Sequence, residues 1–172
     1  MSDFFEENRS KASLSRARLR CRDIMTRNLT VAQRETTLQE IATMMRDADA
    51  GAIPVIEPLP DENANHQGRL VGLITDRDIV VRAVAEGRDI KTAKAEDIMT
   101  TELHTAGPDQ RIYDIVRKMG DKQIRRVPVV SDEGNLLGII SMADIALETE
   151  DDKELAEMLE EISSGAAFWR KG

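Results

Sequence analysis

The chain has 172 residues, 41% of them hydrophobic but with only three Phe, one Tyr and one Trp, so aliphatic side chains must build its core, which argues against a base-stacking role. A formal net charge of −8 and a pI near 4.9 argue against general nucleic-acid binding, which needs an extended basic face. The single cysteine, Cys21, excludes an internal disulfide, no stretch approaches the roughly 18 apolar residues of a membrane span, and Glu6-Glu7 directly after Phe4-Phe5 breaks any secretory core; a cytoplasmic protein without a membrane partner is expected.

Residues 1–19 form a polar arm with Arg9, Lys11, Arg16 and Arg18, the one place where nucleic acid could be held; that weaker reading predicts steeply salt-dependent binding, lost on deleting residues 1–22. Leu38, Ile41, Met44 and Met45 recur at helical spacing and predict a helix that stops before Gly51. A strand over 53–56, a polar loop and a strand over 70–74 follow, and a second helix starts at Thr75 and runs through Ile79, Val80 and Val84 toward Gly87. The second half gives the same order: Ile112, Ile115, Val116 and Met119 predict a helix before Gly120, then strands over 127–130 and 136–140 and a helix from Ser141. Leu155, Met158, Leu159 and Ile162 predict an amphipathic helix in an acidic segment, 149–172, that packs on its own domain or on a second copy.

These elements repeat. Asp23-Ile24-Met25-Thr26 recurs as Asp97-Ile98-Met99-Thr100 and Ile53-Pro54-Val55-Ile56 as Val127-Pro128-Val129-Val130, each 74 positions on. Gly72-Leu73-Ile74 recurs as Gly138-Ile139-Ile140 after only 66, because the first copy carries an extra loop. A shared order with one loop-sized gap marks tandem units, over 20–90 and 91–148, each small enough to need the other.

Each copy ends its second strand in the same device, Thr75-Asp76-Arg77-Asp78 and Ser141-Met142-Ala143-Asp144. Hydroxyl and acid at this spacing start a helix, the hydroxyl accepting from a backbone N–H. A capping box normally uses the longer Glu or Gln, so the shorter Asp78 and Asp144 favour a second use. A carboxylate one turn into a helix can accept both hydrogens of a ribose diol, and the hydroxyl and N–H groups at the helix start suit a phosphate. Arg125 and Arg126 could neutralise that phosphate; the first copy has Gly51-Ala52 there, so the two sites should differ. The Ile53-Pro54 and Val127-Pro128 steps could present backbone groups to a base edge, or simply protect a sheet edge.

No nucleophile with a base, paired acid set or metal cluster stands out, His66 and His104 are isolated, and no Gly-x-x-x-x-Gly-Lys-Ser/Thr loop is present; a non-enzyme without a metal is expected.

Taken together, Asp23-Ile24-Met25-Thr26, Gly72 to Ile79, Asp97-Ile98-Met99-Thr100, Ile124 to Val130 and Gly138 to Ile145 resemble a tandem pair of cystathionine-β-synthase (CBS) domains, a Bateman module, over about residues 20 to 148. The resemblance implies an α+β fold of two β-α-β-β-α type units packed with pseudo-twofold symmetry, commonly joined into a disc-like homodimer. It implies adenine-nucleotide binding, of AMP, ADP or ATP, with S-adenosylmethionine or an NAD-type ligand as alternatives. By motif, Thr75 and Ser141 correspond to phosphate-side hydroxyls, Asp78 and Asp144 to ribose acids, and Arg125 and Arg126 to a phosphate-contacting pair that the first repeat lacks. The expected function is a nucleotide sensor acting on an unidentified regulated protein in trans; the alternative is a ligand-free dimerisation scaffold in which both motifs only cap helices.

Overall fold

The computed structural model of the chain describes residues 19–59 and 68–148. The basic arm up to residue 18, the acidic segment over 149–172 and His66 lie outside the described residues. In chain order the elements are α1 Cys21–Ile24, α2 Leu38–Asp47, β1 Ala52–Pro58, β2 Gly68–Thr75, α3 Asp76–Asp78 running into a π-helical turn Ile79–Val84, α4 Ala95–Ile98, α5 Ile112–Lys122, β3 Arg126–Val130, β4 Leu136–Ser141 and α6 Met142–Glu148. Each repeat is thus helix, strand, strand, helix, with its own two-stranded sheet, and the fold is α+β. β1 and β2 are antiparallel from Ala52 opposite Thr75 to Pro58 opposite Gly68, with a bulge between Val55 and Ile56.

Helix α5 does not stop at Gly120. Its stripe of Ile112, Ile115, Val116 and Met119 is buried and holds it on the core, whereas one interior glycine costs only about 1 kcal/mol. The stop falls at Gln123, which takes a left-handed φ of 53° and donates from Nε2 to the Gly120 carbonyl at 2.8 Å.

The residues form two compact units that are not continuous in sequence. One comprises the described residues of 27–105 with 130–138; the other comprises 19–26, 106–129 and 139–148. The core of the first is aliphatic, with Leu38, Ile41, Ile53, Val55 and Ile74 joined by Ala95 and Ile98 from α4. The core of the second holds Ile112, Ile115, Val127, Val129 and Ile140, joined by Cys21 and Met25 from the start of the described chain. The 20–90 and 91–148 boundaries therefore follow the sequence period, while the compact units exchange their Asp-Ile-Met-Thr segments.

The exchange satisfies open sheet edges. Thr26 and Ile139 exchange two backbone hydrogen bonds of 2.9 and 3.0 Å on the free side of β4, and Thr100 and Leu73 exchange two of 3.0 Å on that of β2. Gly72 makes room for the second attachment: a Cβ there would lie 2.5 Å from Met99 Sδ. Segment α1 is held further by Cys21 N–H donating to Gln110 O and Arg22 N–H to Pro108 O, both at 2.9 Å, and by Asp109 facing Arg20 and Arg22.

Candidate functional site

The two Ser/Thr-x-x-Asp motifs sit where a strand turns into a helix, and both form closed brackets. Thr75 leaves β2 with φ −107° and ψ 162°, which points its N–H at Asp78 Oδ2 (2.9 Å). The Thr75 hydroxyl donates to the same oxygen at 2.7 Å and accepts from the Asp78 N–H at 3.2 Å. Ser141 and Asp144 repeat the pattern at 2.7, 2.7 and 3.2 Å. Both acids and both hydroxyls are half-buried.

The short acid is therefore no sign of a second use, contrary to the expectation from sequence. Asp23 and Asp97, in the Asp-Ile-Met-Thr segments, accept from the N–H three residues back at 2.8 Å in the same way. The N-cap backbone makes up the missing methylene: φ is −112°, −107° and −106° ahead of Asp23, Asp78 and Asp97, but −70° ahead of the longer Glu40. Capping occupies Oδ2 alone; what a ligand could use is Oδ1.

At Oδ1 the two copies part. Asp78 Oδ1 faces Arg82 Nε at 3.4 Å, and Arg82 Nη1 is tied to the Ile98 carbonyl (2.8 Å) and Thr100 Oγ1 (3.2 Å). Asp144 Oδ1 has no partner among the described residues, and Glu148 stands where the first copy has Arg82. The helix starts differ as well. In the first copy every early N–H is taken: Asp76 N–H by Gly51 O at 3.4 Å and Arg77 N–H by Asp76 Oδ1 at 2.8 Å. The expectation of free N–H groups for a phosphate fails there because Asp76 supplies its own acceptor. In the second copy Met142 N–H goes to Arg125 O at 3.1 Å, and Met142 offers no carboxylate to the Ala143 N–H.

Of the other expected residues, Arg125 and Arg126 lie beside the Ser141 bracket, through that carbonyl contact and through β3, which Arg126 opens. Arg125 is exposed and Arg126 half-buried, and neither guanidinium has a carboxylate partner among the described residues. Ile53 is paired with Ile74, next to Thr75 in the register. The side chains of Ile53, Pro54, Val127 and Pro128 are buried, and the carbonyls of Pro54 and Pro128 already accept from Ala32 and Ala106 N–H at 2.9 Å. Those two carbonyls already serve the fold with one of their two lone pairs. Sequence reasoning missed Arg82 and Asp76, although Arg82 stands at the four-residue spacing that pairs charges along a helix. His104 is exposed, and no group of three or more His, Cys, Asp or Glu able to hold a metal occurs among the described residues.

A CBS domain profile matches residues 21–84 and 95–151, and the chain belongs to the CBS domain family as a tandem pair. It is 37% identical over 142 residues to the CBS domain-containing protein YhcV of Bacillus subtilis, covering 83% of this chain and 94% of that one. It is also 37% identical over 125 residues to Hypoxic response protein 1 of Mycobacterium tuberculosis, 73% of this chain and 81% of the relative. A crystal structure of Hypoxic Response Protein I with two coordinated zinc ions superposes with a TM-score of 0.63 at 36% identity, over 75% of this chain and 98% of that one. A CBS domain pair solved with 5′-methylthioadenosine and S-adenosyl-L-methionine gives 0.65 at 27% identity, over 78% and 98%. CBS pairs are generally ligand-binding regulatory modules rather than catalysts. Among the described residues no helix is long and apolar enough to cross a membrane.

Proposed function

We propose that this chain is a cytoplasmic sensor that binds an adenine nucleotide of the AMP, ADP or ATP class and passes the resulting conformational change to a partner protein in trans. The observation that carries this reading is the Ser141–Asp144 bracket: the carboxylate is fixed by two internal hydrogen bonds, its second oxygen has no partner among the described residues, and the backbone of Arg125 and Arg126 lies alongside. A fixed acceptor for a ribose diol, on a helix start whose backbone is tied to Arg125, suits a nucleoside whose phosphate the Arg125 and Arg126 side chains could meet. The adenosine ligands of the related CBS pair support the nucleoside part of the reading, and keep S-adenosylmethionine and NAD-type ligands as alternatives. Regulation follows if the ligand prefers one of two conformations. Self-association is part of the proposal; Val80, Val81, Val84 and Leu147 leave exposed apolar surface on the helices that follow the two brackets.

The competing reading is a scaffold without ligand, favoured by the fact that capping alone accounts for Oδ2 of both acids. Thermal unfolding against AMP, ADP, ATP, NADH and S-adenosylmethionine separates the two. A ligand at 100 times its Kd should add about 2.7 kcal/mol of native-state stability. The sensor reading expects a selective shift that Asp144→Ala removes with the fold retained. No shift with any of the five, and loss of about 1 kcal/mol of cap stability in Asp144→Ala, would leave the scaffold.

A further inference from the structure

Resting on the nucleoside-binding reading, we infer that Arg82 makes the two sites unequal at the ribose: it occupies the acid of the first repeat and weakens nucleoside binding there, so that the second fills first. Diol and guanidinium compete for a single oxygen. Asp78 Oδ2 is committed to Thr75, so a diol can reach only Oδ1, and Oδ1 already faces the Arg82 guanidinium at 3.4 Å. An exposed ion pair would be a weak competitor, but this one is half sheltered, with the Asp78 side chain 15% exposed and that of Arg82 48%. The guanidinium is also anchored at its other end. Nη1 donates to the Ile98 carbonyl at 2.8 Å and to Thr100 Oγ1 at 3.2 Å, so swinging away from Asp78 strains a fork held at three points.

The surrounding turn points the same way. The helix widens to a π turn at Ile79–Val84, the stretch that carries Arg82, with Ala85 N–H bonded back to Val80 O at 2.9 Å. Asp76 caps the Arg77 N–H, whose counterpart in the second copy, at Ala143, has no carboxylate beside it, and it adds a negative charge at the start of the helix. In the second repeat Met142 replaces Asp76, Glu148 replaces Arg82 and the helix is α-helical. An anion at Glu148 cannot neutralise Asp144, so that acid keeps its acceptor capacity.

Calorimetric titration of the full chain with adenosine, which has the diol and no phosphate, and with AMP tests this. Wild type is expected to show one tighter and one weaker adenosine site per chain, and Arg82→Gln to bring the weaker site closer to the tighter one. In an Asp144→Ala background, which silences the second repeat, adding Arg82→Gln should tighten adenosine binding on the order of threefold to tenfold, the range expected from removing one partly sheltered ion-pair competitor. Arg82→Met, which keeps the aliphatic stem, serves in place of the glutamine variant if that one does not fold. Unchanged adenosine affinity on removing Arg82 overturns the inference, and weaker affinity assigns Arg82 to ligand contact instead. If neither the folded wild type nor either Arg82 variant binds adenosine, AMP, ADP, ATP, NADH or S-adenosylmethionine, the sensor reading itself fails; binding by wild type with two equal sites defeats only the role of Arg82.

Discussion

Cys21 shows how far one side chain's chemistry is decided by its seat. It is fully buried in the core of the second unit, and burial pushes its thiol from an ordinary 9.0 to about 11. Two units of pKa leave about a hundredfold less thiolate at pH 8, so iodoacetamide should label the native protein at least about a hundred times more slowly than the unfolded chain. Equal rates in the two states would contradict this seat. The sign for stability follows: the raised value favours the folded state below pH 9.0, and that contribution is lost as pH climbs toward about 11. At this scale the sequence was legible in kind and not in detail. The two motifs could be recognised as helix starts, whereas the burial that makes Cys21 a poor thiolate was not visible in its being a lone cysteine. The shortness of Asp78 misled because backbone φ, which compensates for it, leaves no trace in residue identity. Arg82 was visible four residues on, but its second anchor, the Ile98 carbonyl, is a backbone atom brought in by the fold.

Helix ends were set by side chains reaching back more than by glycine. Helix α2 begins at a full box, Thr37 N–H and hydroxyl donating to Glu40 Oε2 at 2.9 and 2.7 Å and the Glu40 N–H returning to Thr37 Oγ1 at 3.3 Å. The hydroxyl first, then the N–H, holds Glu40 below the ordinary carboxylate range. Its contribution is present above pH 4.5 and lost as pH falls through the lowered value. Thr37→Ala should cost about 1 kcal/mol at neutral pH in denaturant unfolding, with the difference from wild type shrinking in acid; a gap that does not change with pH would rule out the carboxylate's part. Strands and helix starts were legible because period, proline and hydroxyl–acid spacing are local signals. The π turn was not: Ile79, Val80 and Val81 are β-branched and crowd an α-helix, yet the sequence alone does not say whether the backbone widens or ends.

For the whole molecule, duplication gave the pair of repeats directly, but periodicity says nothing about which copy of a segment packs where. The edges of β2 and β4 accept Thr100 and Thr26, and the cores take Ile98 and Met25, so each unit is completed from the other end of the chain's repeat order. Met25→Ala should therefore destabilise the second unit, by about 2–5 kcal/mol for a buried methionine. Hydrogen exchange should quicken at Val127 and Ile140 and leave Ile53 and Ile74 unchanged; quickening at Ile53 instead would mean that Met25 serves its own repeat. The same crossing fixes an order in time. A ribosome delivers Leu38 through Ile98 as one stretch, so the first core can close soon after its last residue emerges. Cys21 and Met25 are synthesised earlier than all of it, yet their apolar side chains must wait for Ile112 through Ile145. The earliest described segment of the chain is thus among the last to be buried, and a nascent chain stalled just past residue 105 would carry a closed first core and an unsatisfied α1.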